Sequence, residues 1–431
     1  MIFKVYLTII ILGNSFFMES LIVLIVVLIL GYISTHFIFN KIQSKYYVPS
    51  GIEYIFLGIL ISPAFSRWFK DFFGYNYPTL ISPEMITQLI PGIAAAIGFI
   101  GFIYGLNFNF KNISSSEPEH WRLALFEIFF SFLIIGGISF FALNYLWGNE
   151  NNLNDIIAAA FALSVIGAFS SNFIVSSLIT RNKVSGRVGE SLVKSSLINS
   201  NLNIFLYGLL FSIIHIGANS SYDISAIEWI VISIVLAFLI GFLFFIFIGR
   251  ETDEKKLFVA ILGIVIFTSG IAYFLNFSPL YMNFILGMML ANFSKIASKI
   301  KESLERLFQP MSILVVVMAG FIWVPPSLVI FIAVSLTFIL LRFITKSTAG
   351  SVAYHSAYSR EKLSPGIGKG LMSLDIVTCA MIIDYVNVYN NEFTPIVVSA
   401  VLTSIILFNV IGYSMAKNLL VDVGEITGES K

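Results

Sequence analysis

The chain has 431 residues, 58% of them hydrophobic and 11% charged, with a mean hydropathy of +0.91. A soluble domain carries about 25% Asp, Glu, Lys and Arg, whereas here the apolar residues run in blocks of roughly 20, the length that crosses ~30 Å of hydrocarbon. That pattern excludes a nucleic-acid binder, a secreted disulfide scaffold and a soluble enzyme; a net charge of +1 sets up no global field, and the single Cys379 has no internal partner.

Apolar blocks bounded by charged or turn-rich segments predict an all-α polytopic membrane protein of about thirteen transmembrane helices. In chain order the spans lie near 19–40, 51–65, 85–107, 121–146, 154–178, 188–215, 226–249, 256–275, 278–294, 309–324, 327–347, 366–389 and 393–416. Outer-membrane barrels show alternating segments of ~10 residues instead. Residues 1–18 form either an extra apolar segment or a stretch upstream of a start at Met18. Residues 19–416 are read as one transmembrane domain and 417–431 as a short cytoplasmic tail.

Orientation follows from Lys and Arg. Lys41 and Lys45 lie in the first loop, Lys111 in the third, and Arg181, Lys183 and Arg187 in the fifth. Arg250, Lys255 and Lys256 lie in the seventh, Lys295, Lys299, Lys301 and Arg306 in the ninth, and Arg360 and Lys362 in the eleventh. Even loops are nearly free of positive charge, apart from Arg67 and Lys70 in the second. Odd loops are therefore expected in the cytoplasm of an inner or plasma membrane, with the N-terminus outside and the C-terminus inside.

An ionisable residue within a span is a functional candidate, because placing a charge there costs at least ~2.5 kcal/mol. Asp375 sits about nine residues into the twelfth span, near the midplane at ~1.5 Å per residue. It is read either as an ion or proton carrier or as a charge that caps a broken helix. Arg342 falls in the inner half of the eleventh span and Lys346 one turn further. Glu127 in the fourth span is a further acid that can pair or line a path. Glu190 and Lys194, spaced i, i+4, can pair at the cytoplasmic end of the sixth span, and Asp384 is expected as a solvated residue at the outer mouth. No Ser-His-Asp arrangement, phosphate-binding glycine loop or metal-ligand cluster is apparent, so a membrane enzyme has no support.

Several passages then carry a family signal. These are Tyr47–Gly51 followed by Gly58–Pro63, Gly101–Asn107, Ser278–Asn292 and Leu341–Lys346. In order and spacing they resemble the monovalent cation:proton antiporters, particularly the bacterial Kef-like and Nap-like branch. The resemblance implies inverted repeats plus a dimerisation helix, with the fifth and twelfth helices broken and crossed near the midplane. It implies exchange of Na⁺ or K⁺ for H⁺ by alternating access in a homodimer within the bilayer, with no cofactor.

The same resemblance nominates site residues. Ser170, Ser171 and Asn172 stand at the first crossover, although the family's proline is replaced by Phe173; close packing of small residues is the alternative reading for these serines. Counting from Gly189 places Asn199 and Ser200, with Asn201 beside them, on the family's sixth-helix pair. Its second member is the family's carboxylate carrier, and Ser200 cannot hold a negative charge. Either this site still coordinates a cation through neutral oxygens, or it is lost. Arg342 or Lys346 supplies the family's basic residue, with Asp375 as the expected counter-charge. The departure keeps two alternatives open: a non-transporting sensor or partner subunit, and a transporter of another solute such as an anion.

Overall fold

The computed structural model describes Ile29 and residues 51–75, 83–148, 152–215, 224–248, 253–294, 297–357 and 363–426. The predicted first span apart from Ile29, the segment 1–18, the motif residues 47–50, and Lys41, Lys45, Arg250, Lys295, Arg360 and Lys362 lie outside these residues. The described chain is helical: α1 Ile52–Ile61, α2 Pro63–Phe73, α3 Pro83–Leu106, α4 Phe110–Ser114, α5 Pro118–Phe130, α6 Gly137–Trp147, α7 Leu153–Ala168 and α8 Asn172–Arg181. There follow α9 Arg187–Ile213, α10 Ala226–Ile248, α11 Glu254–Phe274, α12 Pro279–Phe293, α13 Ala297–Phe321 and α14 Leu328–Ser356. A 3-10 turn at Ile367–Leu371, α15 Ile376–Val388 and α16 Thr394–Asp422 complete it.

Among the described residues, eight helical segments are long and apolar enough to cross a membrane, counting α7 and α8 as one. The second predicted span is not one rod. It bends by 69° between α1 and α2, because Pro63 cannot continue the ladder. The Ser62 hydroxyl then starts α2 by accepting the Ala64 N–H at 3.2 Å. The ninth and twelfth predicted spans are shorter helices, Pro279–Phe293 and Ile376–Val388, and the tenth is the apolar part of α13, Arg306–Phe321.

In lipid, helices do not associate by hiding oil from water, so close backbone approach has to hold them together. Helices α3 and α12 show it. A Cβ at Gly101 would sit 2.0 Å from the Leu280 carbonyl oxygen, and one at Gly287 would sit 2.2 Å from that of Phe102. Asn292 closes the end of this pair, donating to the Phe108 carbonyl at 2.8 Å and accepting the Phe110 N–H at 2.7 Å.

Three interruptions shape the centre of the molecule. The fourth span widens into a π-helical turn at Ser131–Gly136 between α5 and α6, a feature frequent at functional sites. There the Ser131 hydroxyl donates to the Ser164 carbonyl of α7 at 2.6 Å. Helix α7 stops at Ala168, and α8 begins only at Asn172. The 3-10 turn likewise gives way to extended residues before α15 starts. The fifth and twelfth spans are thus both broken, as expected.

Candidate functional site

The two breaks meet. The Ser171 N–H donates to the Ser373 carbonyl at 3.0 Å, and the Ser170 hydroxyl faces the Leu371 carbonyl at 3.2 Å. Each break opens a new helix start, and each start is capped. Ser171 Oγ accepts the Ile174 N–H at 3.1 Å to cap α8, and Asp375 Oδ1 accepts the Val377 N–H at 2.9 Å to cap α15. The caps also touch: the Ser171 hydroxyl donates to Asp375 Oδ2 at 2.7 Å, as does the Tyr104 hydroxyl from α3, also at 2.7 Å. Asp375 therefore sits between two positive helix ends with three donors on it.

The opposite polarity collects at the end of α7, where carbonyls lose their intrahelical partners. Arg342 from α14 spans both breaks. Its Nη1 donates to the Ile166 carbonyl at 3.2 Å and also to that of Gly167, and its Nη2 donates to Phe169 at 2.8 Å and to Met372 at 3.0 Å. One turn further along α14, Lys346 Nζ donates to the Ala168 carbonyl at 2.6 Å and to the Ser170 hydroxyl. The approach of the second break to α14 depends on Gly350 and Gly368. A Cβ on Gly368 would fall 1.9 Å from the Lys346 carbonyl oxygen.

Asp375 does not balance Arg342, contrary to the sequence-based expectation. Four backbone carbonyls do so, because two broken helices offer more unpaired oxygens than one carboxylate. The acid that pairs with a cation is Glu127 on α5, whose Oε1 lies 2.9 Å from Lys346 Nζ, with both side chains fully buried. Glu127 Oε2 accepts from the Ser170 hydroxyl at 3.1 Å and from Asn199 Nδ2 at 2.8 Å. Asn199 also donates to the Ala168 carbonyl at 3.1 Å, while its Oδ1 accepts the Ser170 N–H and Asn203 Nδ2, each at 2.9 Å.

Of the residues nominated by sequence, the structure gathers Ser170, Ser171, Asn199, Arg342, Lys346 and Asp375 around one crossing. Ser200 and Asn201 do not join it, since both turn back onto the Leu197 carbonyl of α9, at 3.1 Å and 2.7 Å. Asn172 reaches Ser176 and Ser196, each at 3.2 Å, on the side of α8 toward α9. Among the described residues Glu190 and Lys194 make no ion pair with each other. Asp384 is not a solvated mouth residue. It is 1% exposed and accepts the Ser278 hydroxyl at the start of α12. Glu127 and Tyr104 are the members that sequence reasoning undervalued or missed. For Glu127 the signal was an acid deep within an apolar span; Tyr104 had none.

Two half-helices crossing at mid-span, with capped N-termini on one side of the crossing and cation-bound C-terminal carbonyls on the other, define an ion-coupled secondary transporter architecture. The transmembrane model of the family described as sodium/hydrogen exchanger matches residues 24–412. The chain belongs to that family. No curated protein sequence matches it. Among solved structures, the sodium proton antiporter MjNhaP1 from Methanocaldococcus jannaschii at pH 8 is similar with a TM-score of 0.68 at 16% identity, covering 94% of this chain and 99% of that one. The electron-microscopy map of the same antiporter gives 0.55 at 16% identity, over 96% and 99%. At this identity the likeness is one of fold.

Proposed function

We propose that this protein exchanges Na⁺ or K⁺ for H⁺ by alternating access, with Asp375 carrying cation and proton in turn. One observation supports it above the others. Asp375 is 7% exposed, whereas Glu127, Lys346, Arg342, Asn199, Ser170 and Ser171 are all 0% exposed. Asp375 is thus the less enclosed of the two acids at the crossing, and no cation of the described chain pairs with it. The oxygens of Ser171 and Tyr104 lie against the carboxylate and can complete the shell of a monovalent ion. A carboxylate that holds either a proton or a cation, but not both, couples the two fluxes without further machinery.

The loss of the sixth-helix acid then matters less, because the exchanging group has moved to the twelfth span. An anion transporter would need a buried cation presenting several free donors; both terminal nitrogens of Arg342 and the ammonium of Lys346 are engaged, and of these donors only Arg342 Nε has no partner. The inward-turned Ser200 and Asn201 favour the sensor reading as the second choice. The charge distribution supports an inner or plasma membrane with odd loops cytoplasmic, and membership of the family supports a homodimer.

The test is a pH gradient across proteoliposomes holding the purified chain, challenged with Na⁺, K⁺ or Li⁺ salts. Cation-dependent collapse of the gradient that disappears in Asp375→Asn is expected. Full exchange in that variant, or no response from folded wild-type protein, overturns the assignment.

A further inference from the structure

Lys346 and Arg342 bring two positive charges within a turn of each other beside the crossing, and only one acid touches them. Both oxygens of Glu127 are used: Oε1 on Lys346 at 2.9 Å, and Oε2 on Ser170 at 3.1 Å and Asn199 at 2.8 Å. The three ammonium protons of Lys346 meet three acceptors, namely Glu127, the Ala168 carbonyl and Ser170. Ser170 and Ser171 are chain neighbours, so this closed network ends one residue from the Ser171 hydroxyl that bonds Asp375 at 2.7 Å.

We propose that Glu127, from the fourth span, is a positioning residue that neutralises Lys346 and thereby sets how tightly Asp375 binds Na⁺ and H⁺. The proposal rests on Asp375 being the carrier. With the pair intact, Lys346 contributes no net charge toward Asp375. Without Glu127, Lys346 becomes a bare positive charge beside the ion site.

Two titratable groups interact directly with Asp375, Tyr104 from α3 and Cys379 from its own helix α15. Lys346 and Arg342 from α14 and Glu127 from α5 are the charged groups gathered at the same crossing, on its α7 side. Tyr281 of α12 lies toward the Asp384 end of α15, where Ser278 meets both. A unit charge about 10 Å away at an effective dielectric near 20 changes ion binding by about tenfold, or about one pH unit for a proton.

The experiment measures ²²Na⁺ binding to the full chain in nanodiscs, and the pH of half-maximal exchange in proteoliposomes, for a double-variant cycle. Glu127→Gln is expected to weaken Na⁺ binding about tenfold and to move the pH profile about one unit toward acid, because the uncovered ammonium repels both cations. Lys346→Gln, which leaves Glu127 bare, is expected to move both readouts the opposite way. In Glu127→Gln/Lys346→Gln the two displacements are expected to cancel, whatever the turnover. A structural role alone predicts losses in one direction, deepest in the double variant. Shifts of the same sign in the two single variants, an unmoved Glu127→Gln, or no cancellation in the double variant overturns the proposal. If neither single variant folds, the double variant decides by the same criterion. Exchange that survives Asp375→Asn sinks the carrier assignment; a dead Asp375→Asn with an unmoved Glu127→Gln sinks only this inference.

Discussion

The backbone N–H of Ser171 meets the carbonyl of Ser373 at 3.0 Å, and this single bond ties the two broken spans at the point where each leaves its helix. Around it the polar groups sort by sign. Caps and Asp375 gather at the helix starts, and Arg342 and Lys346 at the α7 end. The terminal nitrogens of Arg342, the ammonium of Lys346 and the Asp375 carboxylate are thus matched to the partial charges they meet, which is how such a polar centre survives within hydrocarbon.

Arg342 joins four carbonyls from both breaks; the Ile166 oxygen also accepts the Phe169 N–H, so loss of Arg342 leaves the Gly167, Phe169 and Met372 oxygens without this donor. Arg342→Gln is expected to destabilise the protein by about 3 kcal/mol or more, since a charged donor is worth ~1.5–3 kcal/mol per bond. Thermal unfolding in detergent checks it. Arg342→Lys recovers only part, because one ammonium does not span both breaks as the guanidinium fork does.

Tyr104 gives Asp375 a hydrogen bond at 2.7 Å from outside the crossing. Tyr104→Phe removes that donor and little else. A carboxylate with one donor fewer holds its proton to higher pH, so the exchange profile is expected to move toward alkaline pH by about half a unit or more. A full pH series of the gradient assay reads it. Ser171→Ala is expected to do the same and also to cost about 1 kcal/mol, because its hydroxyl caps α8.

Asp384 anchors the start of α12 through Ser278 and lies in no contact with Asp375. Asp384→Asn keeps an oxygen for the serine and is expected to leave cation selectivity and the pH profile in place. Asp384→Leu strands the Ser278 hydroxyl and is expected to lower stability by about 1–3 kcal/mol. Unfolding and transport measured on both variants separate the two roles. A changed pH profile in Asp384→Asn would assign it a part in proton transfer.

The last helix runs to Asp422, and Glu425 just beyond it bonds the N–H groups of Val188 at 2.7 Å and Gly189 at 2.8 Å. This carboxylate caps α9, the helix that carries Asn199. Glu425→Ala is expected to cost about 1 kcal/mol and to speed amide hydrogen exchange at 188–190, with the rest of α9 protected. Unchanged exchange there would show that the cap contributes nothing.

Composition and periodicity alone pointed to a bundle of apolar helices, to roughly where each lies, and to Asp375 and Arg342 as charges at membrane depth; Lys346 was expected near the cytoplasmic face, where it could snorkel into water, but is fully buried beside Glu127. Those features are local: an apolar block of sufficient length has one stable solution in lipid, and a charge inside it stands out. The order of the motifs also pointed to two broken helices before any coordinate. Tertiary structure decided the pairings. Arg342 answers to carbonyls that exist only because two helices stop at the same place, and no side-chain pattern records where a backbone oxygen loses its partner. Glu127 and Lys346 are 219 residues apart and meet at the break after α7, where both reach the Ser170 hydroxyl. Ser200 and Asn201, one and two positions beyond Asn199, turn away from the crossing because successive residues on a helix point about 100° apart. Sequence places residues along a span, but only the packed bundle decides which face meets the ion.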